Sequence, residues 1–312
     1  MIQERKESPR LVVTADDFGL SPGVDQGILE AYRRGVVSST ALLLNFPDVA
    51  DSVARLRQEP GLEVGIHLNL TAGPPVSPPD RVPSLVGADG TFHNFTTFFA
   101  KVGLSKIDWG EVAKEWQAQF ERGVDLGCRF TFITSHQHVH MLPDVAGICA
   151  KLAHEFEVDA IRLSNFRVSE MQWALSPRLL ALAPFVPTVR KTLKCGRMFH
   201  NTSTLEIPKG APDQSLRRIS KILNRLDGGV HELVCHPGHV DAKLEARDTY
   251  VEQRPVELAV LLDAKLRAVI EDAGIKRTTF RELAGRARKA GNTVLAEIRS
   301  TEKSWQPAAR LS

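Results

Sequence analysis

Short apolar runs alternate along this chain with longer stretches in which apolar residues recur every three to four positions. The run Leu11–Ala15 has strand length and lacks polar alternation, which predicts a strand buried on both faces. Ser21 followed by Pro22 is typical of a helix N-terminus, because serine caps the helix and proline fits its first turn. Gly35 then predicts a left-handed residue at the end of that helix.

The same alternation continues through most of the chain. Further strands are predicted at Ser39–Leu44, Glu63–Leu70, Phe130–Ser135, Ala160–Leu163, Val230–Cys235 and Ile275–Thr278. Helices are predicted from about Pro47 to Arg57, around Trp116–Val124, from Pro143 to about Phe156, at Gln214–Leu226 and Val256–Ala273, and after a Thr279–Glu282 capping box. About seven strand-then-helix units favour an α/β fold, with parallel strands closed or nearly closed into a (β/α) barrel. The barrel is expected to form a single domain over residues 1–290.

Two segments interrupt this rhythm. The first is rich in proline between Ala72 and Gly90 and directly follows a predicted strand, so it predicts a loop insertion over about residues 72–106. Loops after barrel strands lie at the face where substrates bind, so the insertion is expected to shape substrate choice. The second, residues 291–312, has weak periodicity and predicts a loosely ordered basic tail.

Composition and charge narrow the class of protein. The 43% hydrophobic and 25% charged residues are globular proportions. From Lys276 onward, nine Lys or Arg and three Glu give a net charge of +6. Because the whole chain has a net charge of +3, residues 1–275 have a net charge of −3. The basic segment has only Phe280 and Trp305 as aromatics and no nucleic-acid motif, which argues against nucleic acid as a partner. A non-enzymatic protein that binds anions through the tail remains an alternative.

Cysteine spacing and hydropathy bear on the compartment. Cys128, Cys149, Cys195 and Cys235 form no CxxC pair, which predicts free thiols in a reducing cytosol. The first apolar run is too short for a signal-peptide core, and no run approaches the ~20 residues of a membrane span. The sequence therefore predicts a soluble, cytoplasmic protein, and it leaves a homo-oligomer open.

Candidate chemistry is concentrated where predicted strands end. Asp16 and Asp17 follow the first strand, and adjacent carboxylates need a cation or strong donors to stay ionised. His67 lies near the end of another apolar strand, where a hydrogen-bonded core histidine is the alternative interpretation. His236 ends a later strand in Cys-His-Pro-Gly-His, where a plain turn is the alternative.

The densest motif is Ser-His-Gln-His-Val-His at residues 135–140. If the preceding strand continues through it, His136, His138 and His140 point to the same side, because side chains alternate along a strand. Histidines and carboxylates at four strand exits match the ligands of a catalytic divalent metal. One carboxylate suffices for the metal and leaves the other as a base, which is the arrangement of metal-assisted hydrolysis. A phosphoesterase or amidohydrolase on a similar barrel is the nearest alternative.

Four motifs in this order, TADDFG, GIHLNLT, SHQHVHMLP and CHPG, closely resemble the YdjC-like carbohydrate deacetylases, which include chitooligosaccharide and hopanoid-biosynthesis deacetylases. The resemblance runs from about Leu11 to Arg281. It implies a distorted TIM-like (β/α) barrel that removes the N-acetyl group from an N-acetylated amino sugar with one divalent metal ion. It also assigns site residues by position: the metal ligands are Asp17, His67 and His136, the catalytic base is Asp16, and His236 lies near the leaving group.

Other details follow from the resemblance and the ligand types. Mg or Zn fits the ligand set best, and Mn, Co or Ni is also compatible with it. Thr134 stands where the third motif of the family that this chain resembles usually has aspartate, so the acid expected to orient His136 is missing. His138 and His140 are expected to support the ligands or contact substrate. Arg162, after a later strand, is either a substrate or carboxylate contact or a surface arginine.

Overall fold

All the strands described in the protein belong to one sheet, and they pair in parallel. The computed structural model describes residues 8–166 and 182–289. The strands are β1 (Arg10–Phe18), β2 (Ser39–Leu42), β3 (Glu63–Leu68), β4 (Phe132–Ser135), β5 (Ala160–Ile161), β6 (Phe199–His200), β7 (Ser203–Glu206), β8 (Val230–Cys235) and β9 (Lys276–Arg277).

The sheet curls until its two end strands lie close together. Its order is β6-β5-β4-β3-β2-β1-β8-β7, with β9 added to β1. β6 and β7 are separated by only two residues, and a parallel bridge between Phe166 and Thr204 brings the chain after β5 against β7. The distorted (β/α) barrel predicted from the sequence is therefore confirmed. The carboxyl ends of its strands share one face of the barrel.

Helices follow the strands around the outside of the barrel. They are α1 (Pro22–Arg34), α2 (Val49–Leu56), α3 (Phe95–Gly103), α4 (Trp109–Asp125), α5 (Pro143–Glu155), α6 (Val186–Cys195), α7 (Pro212–Leu223), α8 (Ala242–Arg247), α9 (Gln253–Leu262), α10 (Ala264–Asp272) and α11 over residues 280–289. Among the described residues, no helix combines the length and apolar character required to cross a bilayer.

Helix ends show where the sequence predictions hold and where they fail. The Ser21 side chain accepts a hydrogen bond from the Val24 amide, which confirms the predicted cap of α1. Gly35 is not left-handed, since its φ is −104°, so that prediction is wrong. The single helix expected at Val256–Ala273 is two helices, because Asp263 takes an extended backbone and caps α10 through the Lys265 amide.

Helix α11, the last helix in the described part of the chain, closes the amino-terminal end of the barrel. Phe280 stacks on Phe132, with ring centroids 4.8 Å apart, inside an apolar cluster with Val12, Ala41, Ala160, Leu283 and Ala284. The buried Glu63 carboxylate accepts the amides of Phe280 and Arg281 at the first turn of α11. Among the described residues, α11 therefore fills this end of the barrel, which leaves the strands' carboxyl face for a site.

The insertion after β3 is more ordered than the predicted loop. It contains helix α3, a short 3-10 turn at Pro79–Arg81 and an antiparallel bridge between Val86 and Phe92. Glu115 on α4 accepts the amides of Val76 and Ser77, which ties the insertion to the barrel. The basic tail predicted at residues 291–312 lies outside the described residues.

Candidate active site

Strand β1 contains Asp16 and Asp17 just before its last residue, Phe18, and the backbone turns the two aspartates toward different partners. The register between β1 and β2 shifts between Ala15 and Phe18, and Asp17 has a φ of 71°. A left-handed backbone at a residue other than glycine costs about 1–3 kcal/mol and persists only where the surroundings hold it. The Gly19 amide donates to Asp25 Oδ1 at 2.7 Å, and this contact anchors the turn that follows Asp17.

Asp17, His67 and His136 form a buried cluster at the carboxyl ends of β1, β3 and β4. Asp17 Oδ1 lies 3.0 Å from His136 Nδ1 and 3.3 Å from His67 Nε2. One donor atom from each of the three side chains lies within 4.8 Å of the others. Two imidazoles and one carboxylate make a donor set suited to a divalent metal. The fold thus brings together the three residues that the sequence analysis named as ligands.

Arg254 is a fully buried cation beside this cluster that no sequence pattern indicated. Its Nη2 group donates to Asp17 Oδ2 at 2.7 Å and to Asp248 Oδ2 at 2.7 Å. Because the guanidinium holds Oδ2, Asp17 presents Oδ1 to the two imidazoles. The Asp248 carboxylate adds a negative charge that offsets the repulsion between Arg254 and a bound cation.

Burial and neighbouring charges shift the pKa values of the three cluster side chains. Burial opposes ionisation of Asp17, but the charges of His136 and Arg254 outweigh it and hold the pKa of Asp17 well below its usual range. Burial lowers the pKa of His67. For His136, burial acts in the same direction, but the Asp17 carboxylate outweighs it and raises the pKa of that imidazole. The cluster therefore offers an ionised carboxylate and, at His67, a neutral imidazole.

Asp16 belongs to a separate buried charge network inside the barrel. Arg162 donates to both Asp16 oxygens, at 2.6 and 2.8 Å, and to both Glu232 oxygens, at 2.9 Å each. The Thr14 hydroxyl donates to Glu232 at 2.8 Å. Burial alone would raise the pKa of Asp16, but the Arg162 charge and hydrogen bonds outweigh burial and lower the pKa to about 2.

The position of Arg162 decides between the interpretations offered for it. Its side chain is fully buried, so the surface-arginine interpretation is wrong. It contacts the carboxylates of Asp16 and Glu232 within the barrel. A substrate contact does not fit this burial, and the geometry instead makes Arg162 a support for Asp16.

His236 follows β8 and is about one-quarter exposed. Its backbone amide donates to Glu257 Oε2 at 2.6 Å, and the Tyr250 hydroxyl donates to Glu257 Oε1 at 2.5 Å. The His236 and Tyr250 rings meet edge to face, with centroids 5.4 Å apart. Burial raises the pKa of Glu257. These contacts hold an accessible imidazole at the same face of the barrel as Asp16.

The histidine-rich motif does not continue the strand. β4 ends at Ser135, and residues His136–Met141 form a 3-10 turn in which Gln137 and His138 have φ values of 56° and 58°. The prediction that the three histidines share one side is therefore wrong, because these left-handed residues interrupt the alternation of an extended chain.

The turn sends the other two histidines of the motif to different surroundings. His140 is fully buried between the Ser135 hydroxyl, 2.6 Å from its Nδ1, and the Arg162 carbonyl, 3.1 Å from its Nε2. This burial does not fit a substrate contact, and His140 instead supports the backbone at Arg162. His138 is partly exposed, and its Nδ1 lies 2.9 Å from the Ser164 hydroxyl.

Five site residues were missed in the sequence analysis: Glu232, Asp248, Tyr250, Arg254 and Glu257. Glu232 had a usable signal, since an acidic residue in the apolar strand β8 must find a buried partner. The other four follow the Cys-His-Pro-Gly motif in a loop and helix. Their spacing carries no signal, because only the path of the chain after β8 brings them back to the site.

Comparisons with known proteins show which proteins this chain resembles. A carbohydrate deacetylase from Geobacillus stearothermophilus is 34% identical over 273 residues, covering 87% of this chain and 96% of that protein. A chitooligosaccharide deacetylase from Yersinia pestis is 31% identical over 274 residues, covering 86% and 97%. The crystal structure of an Enterococcus faecalis protein, proposed to cleave cellobiose phosphate, has a TM-score of 0.74 and 26% identity, covering 89% of this chain and 99% of that one. Residues 10–272 match the family described as YdjC-like protein, and this chain belongs to that family.

Proposed function

We propose that this protein is a metal-dependent carbohydrate N-deacetylase. Its reaction hydrolyses the acetamide of an N-acetylated amino sugar and releases acetate and the free amine. The observation that carries the proposal is the buried Asp17, His67 and His136 cluster beside a second, separately held carboxylate, Asp16. Relatives at 31–34% identity that are named as carbohydrate and chitooligosaccharide deacetylases support the substrate class.

The donor set of the cluster fits one divalent ion. Asp17 Oδ1, His67 Nε2 and His136 Nδ1 approach one another closely enough to share it. Mg and Zn are the proposed ions: the two imidazoles favour Zn, and the carboxylate together with water is compatible with Mg. When bound, such an ion supplies Lewis-acid polarisation of the acetamide carbonyl and lowers the pKa of a water molecule. Arg254 keeps the Asp17 carboxylate turned toward the two imidazoles.

Asp16 is the proposed general base. Its pKa of about 2 keeps the carboxylate ionised throughout the neutral range, so it is available to accept a proton. Arg162 fixes its direction with two hydrogen bonds, and each carboxylate oxygen keeps a lone pair for the attacking water. As the water oxygen bonds to the acetyl carbon, Asp16 takes the water proton.

His236 is the proposed proton donor to the departing nitrogen. The carbon–nitrogen bond breaks as the amine receives this proton, and the acetyl group leaves as acetate. Glu257 and Tyr250 hold the His236 backbone and ring in place. His138, at the rim beside Phe166, is a proposed contact for the sugar.

An acetate-release screen tests this function directly. Purified protein would be incubated with N-acetylated mono- and oligosaccharides in the presence of Mg, Zn, Mn, Co or Ni. We expect acetate and free amine in equal amounts with at least one pair of sugar and metal. Release of phosphate from phosphate esters, or hydrolysis of N-acylated amino acids, with no acetate from any sugar, would favour the phosphoesterase or amidohydrolase alternatives.

Metal binding should depend on each of the three cluster residues. We expect Asp17→Ala, His67→Ala and His136→Ala to lower the bound metal measured by elemental analysis, because each removes one donor. His239→Ala is the matched control, since this histidine is half-exposed and contacts Glu30 outside the cluster. A ligand that binds only the folded state stabilises it by about 2.7 kcal/mol at 100 times its Kd, so a chelator should also lower the wild-type Tm. A variant with full metal content and affinity would remove that residue from the proposed ligands.

Deleting residues 291–312 should leave deacetylation nearly unchanged. Every proposed catalytic or positioning residue lies between Asp16 and Glu257, well before the deletion. The measurement is kcat/KM for truncated and full-length protein, with circular dichroism as the control for folding. A large loss in a folded truncated protein would contradict this expectation.

Salt-dependent retention of the full-length protein on DNA that disappears when the tail is deleted would favour the anion-binding alternative.

A further inference from the structure

Two buried polar atoms beside the proposed metal site have no hydrogen-bond partner among the described residues. They are His67 Nδ1 and the Thr134 hydroxyl. His67 on β3 and Thr134 on β4 are register partners, so their side chains leave neighbouring strands on the same side of the sheet. Such buried groups usually have a partner or an ordered water, so two of them on register-paired residues require an explanation.

The contacts of His67 indicate whether its unpartnered nitrogen, Nδ1, is a hydrogen-bond donor or acceptor. Its Nε2 faces Asp17 Oδ1 at 3.3 Å and is therefore the nitrogen turned toward the proposed metal. A nitrogen that binds a metal carries no proton, so the proton of a neutral imidazole lies on Nδ1. The Nδ1–H group is then a buried donor, and leaving it without an acceptor is unfavourable.

We propose that Thr134 is a positioning residue for His67 and that one buried water joins its hydroxyl to the Nδ1–H group. The water accepts from Nδ1 and donates to the Thr134 oxygen, which satisfies both atoms. Ordered water that bridges otherwise unpaired polar groups is common in protein interiors. This inference rests on the proposed metal site. It makes the side chain at position 134 a partner of His67, whereas the sequence analysis had expected that position to orient His136.

An unsatisfied Thr134 hydroxyl and a hydroxyl that orients His67 predict different metal affinities for Thr134→Val. If the Thr134 hydroxyl is merely an unsatisfied buried group, Thr134→Val removes a desolvation cost and leaves metal binding unchanged. If the hydroxyl orients His67, the same variant weakens metal binding. Removing the outer partner of a ligand histidine typically costs 10–100-fold in metal affinity, and we expect about 10-fold for a neutral, water-mediated partner.

The test is the affinity of the full-length protein for Zn²⁺ alone, measured by competition with a chelating indicator. Thr71→Val is the matched control, because its hydroxyl is also buried without a partner but is not a register partner of His67. We expect Thr134→Val to bind zinc about 10-fold more weakly, and Thr134→Ser and Thr71→Val to bind it like wild type. A high-resolution crystal structure should show the bridging water in wild type.

Several results would overturn the inference. They are unchanged zinc affinity in Thr134→Val, equal weakening in Thr71→Val, and a crystal structure with no water between His67 and Thr134. If Thr134→Val does not fold, the wild-type crystal structure still decides, since a water between His67 and Thr134 supports the inference and its absence contradicts it. Failure of the wild type to bind zinc or any other divalent ion is a different outcome, because it contradicts the proposed metal site itself.

Discussion

Replacing Asp16 by Asn should lower kcat by about 10²- to 10⁴-fold, the usual contribution of a general base. The substitution keeps the size and shape of the side chain but removes the proton acceptor. Bound metal should stay near the wild-type level, because Asp16 contacts Arg162 and the ligand cluster uses Asp17. KM should change little, since the proton transfer contributes in the transition state. Steady-state kinetics and elemental analysis on the same preparation measure both quantities.

Asp17→Asn is the matched comparison, since it makes the same chemical change at the adjacent residue. We expect it to lower metal affinity, and excess metal should restore part of its rate. The division of roles is falsified if the pattern reverses, with Asp16→Asn losing metal and Asp17→Asn retaining it. That result would exchange the two aspartates and keep the proposed reaction.

Replacing Arg162 by Met should destabilise the fold by about 3–5 kcal/mol, the usual cost of removing one partner from a buried ion pair. Arg162 is the cation between the buried carboxylates of Asp16 and Glu232, which would otherwise lie unpaired. Urea denaturation gives the free energy of unfolding. The same variant should lose activity in conditions where it stays folded, because Asp16 loses the two hydrogen bonds that direct it.

Arg288→Met is the control for Arg162→Met, because both side chains of the Arg288 pair with Asp159 are exposed. Exposed pairs contribute about 0–1 kcal/mol, so this variant should be close to wild type in stability. Adding Asp16→Asn and Glu232→Gln to Arg162→Met should recover part of the lost stability, because it removes the two unpaired charges. If Arg162→Met unfolds at the same urea concentration as wild type, the buried network does not stabilise the barrel as described.

Sequence patterns predicted the bounds of the elements that depend on contacts between residues close together in the chain. Strand β8 matches its predicted bounds, and β1 and α1 begin within one residue of theirs. The Ser21 cap was predictable because its partner is the amide three residues on. The insertion was the weak point, because its order depends on contacts with Glu115 on a later helix.

By itself, the sequence determined the alternation of strands and helices and the placement of Asp16, Asp17, His67, His136 and His236 near strand exits. Parallel strands end at one face, so these residues had to converge whatever the details of packing. The tertiary structure alone decided which of them touch. The left-handed residues at Asp17 and in the turn after β4 set side-chain directions that strand alternation cannot predict. Pairing across the barrel placed Arg162 on Asp16 and Arg254 on Asp17, because a buried charge takes a partner from whichever distant segment the fold brings beside it.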